Sequence, residues 1–91
     1  MSAIVNTPVR IDGTNVKDFE TEMKNAFDTC DNQLDVDMAD TTYLCSAALR
    51  VFLSTQKKIR AAGGSMVLKN VKPQIIEIFE VTGFAGILTI E

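Results

Sequence analysis

The chain reads as a single α/β domain built on a mainly parallel sheet of about four strands with three helices. Two observations predict this. Segments with strand character, either alternating or short and continuously apolar, are separated by segments whose apolar residues fall at helical spacing. They follow one another in β-α-β-α-β-α-β order, which implies parallel strands joined by right-handed crossovers. The 91 residues, 46% of them hydrophobic, suffice for one modest core, so residues 1–91 are taken as one domain without repeat or linker.

Residues Ala3 to Ile11 hold Ile4, Val5, Val9 and Ile11 and read as a strand, with Pro8 marking a bulge or edge because it lacks a ladder donor. Asp12-Gly13-Thr14-Asn15 is a turn, and Thr14 or Asn15 is placed to cap a helix whose face carries Val16, Phe19, Met23, Ala26 and Phe27. That helix ends near Asp28. Leu34, Val36 and Met38 then alternate with Asp35 and Asp37, which is a half-buried strand over Gln33–Met38.

The period changes between Asp37 and Arg50. Beyond that turn Ala48, Leu49, Phe52 and Ile59 have helical spacing, with polar Gln56 as a gap in the stripe. Ser46 sits at the helix start, where a hydroxyl serves either as an N-cap or as an exposed group at the positive end of the helix. On a helical wheel Arg50, Ser54 and Lys57 share the side of Ser46, with Leu53 at its border. Gly63-Gly64 stops this helix, Met66-Val67-Leu68 reads as a buried parallel strand, and Pro73 opens a third helix that runs to Gly83. A last strand covers Ile87–Ile90.

Nine basic and twelve acidic residues give a net charge of −3, which excludes a broad basic field for nucleic acid. No apolar run reaches the length of a membrane helix, and the N-terminus lacks the pattern of a leader, so the expected location is the cytoplasm. Cys30 and Cys45 form neither a disulfide framework nor a metal pattern, and histidine is absent. No cofactor and no metal are expected. The chain offers no nucleophile with a base and no phosphate cradle, so it is read as a non-enzyme. Cys45, beside a helix start, opens a redox-sensing reading against the ordinary one of inert packing.

Strand, loop T-Y-L-C-S-A-A-L-R and helix together resemble the phosphoacceptor segment of the STAS domain, the family of bacterial anti-sigma factor antagonists. Asp37, Met38, Tyr43, Leu44, Ser46, Ala47 and Leu49 fill places of the family run. Cys45 stands where the family has Asp or Ser, and Ala48 where it usually has Gly. The resemblance implies that Ser46 is the phosphoacceptor, with Asp12, Asp37 and Cys45 around it. Asp12 matches a family aspartate, although such a residue in a turn also bonds its own backbone.

Thr14, Asn15, Tyr43, Leu44, Arg50, Leu53, Ser54 and Lys57 are the expected partner-binding residues. The implied partner is an anti-sigma factor serine kinase that phosphorylates Ser46 and so ends binding, with a phosphatase to reset the switch. A STAS scaffold or accessory subunit that carries no phosphate is the alternative. The chain lacks the family's usual first strand and last helix, which would leave Gln33–Met38 at the sheet edge. Asp35 suits such an edge, so a monomer is expected when free.

Overall fold

The computed structural model describes residues 3–30 and 32–91. The elements in chain order are β1 (Ala3–Asn6), β2 (Arg10–Ile11), α1 (Val16–Thr29), β3 (Gln33–Asp37), β4 (Tyr43–Leu44), α2 (Ser46–Ala61), β5 (Ser65–Lys69), α3 (Pro73–Val81), a 3-10 turn at Phe84–Gly86, and β6 (Thr89–Ile90). The main sheet has the order β1-β3-β5-β6 and is wholly parallel. A second, two-stranded sheet pairs β2 with β4.

The period-2 pattern of the strands decides which side is covered. Val5, Leu34, Val36, Met66 and Leu68 point to one face and are buried, whereas Ile4, Asn6 and Ser65 are exposed on the other. All three helices lie over the buried face. Phe52 of α2 meets Phe19 of α1 at 5.1 Å and Phe79 of α3 at 5.9 Å between ring centroids, so one aromatic cluster joins the helices into a layer. The uncovered face carries polar pairs. Ser65 Oγ donates to Gln33 Oε1, Gln33 Nε2 donates to Asp35 Oδ1, and Lys69 Nζ lies 3.5 Å from Asp35 Oδ2.

Local chemistry explains most boundaries. α2 ends because Gly63 takes φ 82°, which lets its N–H reach Arg60 O and the N–H of Gly64 reach Ile59 O. Gly64 then passes so close to the Asn32 backbone that a Cβ would collide with it. α3 opens on Pro73, where the missing N–H has no helical partner to lose.

Two expectations are corrected. The single strand over Ala3–Ile11 is two strands, because the chain leaves the main sheet at Pro8 and re-pairs with β4. β3 is not at an edge. It lies between β1 and β5, and the edge is β1. Asp35 tolerates this position because its side chain stands on the uncovered face, between Gln33 and Lys69. Gln56, the polar gap in the apolar stripe of α2, is itself buried: it is 2% exposed, and its Nε2 donates to Ile87 O at 3.3 Å.

Candidate functional site

The β2–β4 pairing brings the Asp12 turn to the start of α2. Ile11 lies opposite Leu44, and the N–H of Cys45 donates to Ile11 O at 2.9 Å, so the residue after Ile11 and the residues after Cys45 emerge side by side. A buried hydroxyl fixes the loop that precedes β4. Thr41, fully buried, donates to Pro8 O at 2.7 Å and bonds the Thr7 hydroxyl, while the Thr42 N–H reaches Val9 O. Two separated loops are thereby held as one surface.

Within that surface the Asp12 turn is internally closed. Asp12 Oδ1 accepts from the Thr14 N–H at 2.9 Å and from its hydroxyl at 2.6 Å, and Arg10 Nε lies 3.6 Å from Asp12 Oδ2. The Thr14 hydroxyl first, then its N–H, then Arg10, hold the Asp12 carboxyl below the usual carboxylate range. Asn15 takes the N-cap position of α1, yet its side chain turns back. Its Oδ1 accepts from the Asp12 N–H, and its Nδ2 donates to Arg10 O. Arg10 also stacks over Tyr43, 4.6 Å from the ring centroid, and so links the turn to β4.

Ser46 is the first residue of α2 and is exposed. The N-cap is Cys45, and no side chain caps this helix, so Ser46 does not hold the cap position that the sequence allowed. Arg50, Ser54 and Lys57 are exposed along α2, and Leu53 is half-buried beside them. Ser54 also lines a groove of about 390 Å³ between the helices, with Val51 and Lys58 from α2 and Glu20, Lys24 and Phe27 from α1.

One of the expected partner-binding residues is buried. Leu44 is 5% exposed and belongs to the core, because alternation along β4 turns it inward while Tyr43 turns outward. Asp37 Oδ1 accepts from the Ala39 N–H and from Asn70 Nδ2, which ties it to the loop after β5. Arg10, Thr41 and the α1 wall of the groove escaped sequence reasoning. Only Arg10 had a visible signal, its place next to the Ile11-Asp12 step.

The model of the STAS domain family matches residues 3–91. The chain belongs to the STAS domain family. An anti-sigma factor antagonist named BtrV, from Bordetella bronchiseptica, is 31% identical over 80 residues, which are 88% of this chain and 69% of the relative. The anti-sigma-B factor antagonist of Bacillus subtilis is 36% identical over 53 residues, 58% of this chain and 49% of the relative. Two solved structures share the fold. A STAS domain protein from Planctomyces limnophilus superposes with a TM-score of 0.85 at 17% identity, over 99% of this chain and 80% of the other. The anti-sigma factor antagonist SpoIIAA in its unphosphorylated form gives 0.78 at 13% identity, over 97% and 77%.

In this STAS domain, Ala48, at the place where the family usually has Gly, is fully buried, so its methyl group points into the core. Cys45 is a half-buried free thiol packed against that core. Among the described residues no helix is long and apolar enough to cross a membrane, and no group of three or more acidic or cysteine side chains forms a metal cluster.

Proposed function

We propose that this STAS domain is an anti-sigma factor antagonist of the bacterial cytoplasm that docks an anti-sigma serine kinase on the α2 start and is released when that kinase phosphorylates Ser46. The observation that carries this reading is the exposure of Ser46 at the first position of α2, uncapped and flanked by the Asp12 turn. A phosphate there adds roughly −1.5 to −2 charges. The neighbouring cation Arg10 already faces Asp12 and Tyr43, so the new charge stands in the docking surface beside a carboxylate. Repulsion then falls on the partner, and the buried core under Ala48 and Leu49 is untouched. Thr14, Asn15, Tyr43, Arg50, Leu53, Ser54 and Lys57 form the surface, and a phosphatase restores it. The names of the relatives from Bordetella and Bacillus support the assignment.

Incubation with the cognate kinase and ATP, read by intact mass, tests it. One phosphate is expected on the wild type and none on Ser46→Ala. Ser46→Asp should bind the kinase at least tenfold more weakly with an unchanged melting temperature. Absence of phosphate on the wild type would instead favour a STAS scaffold that never cycles, and wild-type affinity in Ser46→Asp would remove Ser46 from the surface.

A further inference from the structure

Arg10 is the cation of the small sheet, and only part of its guanidinium is engaged. One face of the group lies on the Tyr43 ring, 4.6 Å from its centroid, and Nε lies 3.6 Å from Asp12 Oδ2. The backbone beneath is fixed too, because Arg10 O accepts from Asn15 Nδ2 and Arg10 pairs with Tyr43 across β2 and β4. Among the described residues the two terminal amino groups meet no acceptor, and 62% of the side chain is exposed. Asp12 has no second oxygen to offer them, since Oδ1 holds the Thr14 N–H and hydroxyl. The free edge of a guanidinium is a planar fork that matches an oxyanion with two parallel hydrogen bonds. Stacking and the Asp12 contact already restrain the side chain, so little rotamer freedom is lost when a ligand arrives.

The surroundings decide which oxyanion fits. The chain as a whole is acidic, with nine basic residues against twelve, yet the proposed docking surface exposes Arg10, Arg50 and Lys57. Its one carboxylate, Asp12, is closed into its own turn. A doubly charged phosphate on Arg10 would stand beside that carboxylate, and a singly charged carboxylate meets less of the repulsion. Arginine and tyrosine side by side are also the residue types that anchor protein interfaces. We propose that the free edge of the Arg10 guanidinium receives an aspartate or glutamate side chain of the docking kinase, so that Arg10 and Tyr43 anchor the interface. The inference rests on the docking surface proposed above and adds the chemistry of the partner, an acidic face. That chemistry gives a phosphate on Ser46 its opponent: the cations draw the acidic face in, and new negative charge on the same surface repels it.

Binding kinetics of the 91-residue chain on the cognate kinase, with Arg10→Lys and Arg10→Ala, are the test. Arg10→Lys keeps the charge and loses the fork, so association should stay near the wild-type rate while dissociation speeds by roughly tenfold or more. Arg10→Ala should add slower association at low salt. Either change also releases Asp12 and Tyr43, so a double-mutant cycle separates pairing from support. Alanine is placed at each exposed Asp and Glu of the kinase in turn, and one of these changes should cost little further in the Arg10→Ala background. Wild-type dissociation in both variants overturns the proposal. Faster dissociation without any coupled carboxylate overturns it as well, and assigns Arg10 to holding the small sheet. A kinase that does not bind the wild type overturns the docking surface itself, and this inference with it.

Discussion

Each side chain of the Asp12 turn has a defined partner, and the turn is sensitive to single atoms. The lowered Asp12 carboxyl rests chiefly on one hydroxyl, so Thr14→Val should raise its titration midpoint toward the ordinary value while the Thr14 N–H contact keeps part of the shift. Carbon NMR of the carboxyl reads this directly, and an unmoved midpoint would assign the shift to the Thr14 N–H and Arg10 rather than to the hydroxyl. The sign of the linked effect follows. The charged form is favoured in the folded turn, so its contribution is present at neutral pH and fades as pH falls through the lowered value. Gln56 is the opposite kind of residue: its Oε1 is buried without a partner among the described residues. Gln56→Leu removes that orphan at similar volume, whereas Gln56→Ala adds a cavity. The alanine variant should be less stable than the leucine variant by roughly 1–3 kcal/mol in denaturant unfolding.

At the level of elements, the helices were the most legible part of the sequence. The stripe of Phe19 and Met23, that of Ala48, Leu49, Phe52 and Ile59, and that of Ile75 and Phe79 are the buried faces, and the stop at Gly63-Gly64 and the start at Pro73 fall where local chemistry places them. Strand order was not legible, because alternation records which face a residue takes and says nothing of its lateral neighbours. Asp35 shows why: a charge on a strand is compatible with an edge, but equally with an interior strand whose other face is uncovered. The exposed side of α2 was legible for the same reason as its core side, since Arg50, Ser54 and Lys57 follow from helical geometry alone. Leu44 and Gln56 were not, because their burial depends on pairing with β2 and on Ile87, both distant in sequence.

For the molecule as a whole, the main sheet carries most of the core, and the small β2–β4 sheet adds Ile11 and Leu44 to it while presenting the proposed docking surface. β3 and β5, interior and covered by the helix layer, should hold the slowest-exchanging amides, and β2 and β4 much faster ones, because two rungs outside the main sheet open at little cost. This separation has a thermodynamic consequence. If the small sheet opens before the body of the protein, any ligand that recognises only its closed form adds to the free energy that holds it closed. Saturation with the kinase should then slow exchange at the Thr42 and Cys45 amides, whose bonds to Val9 and Ile11 close that unit, and leave β3 and β5 unchanged. On the proposed switch, partner binding would bias a local folding equilibrium toward the closed small sheet, and a phosphate at Ser46 would remove that bias.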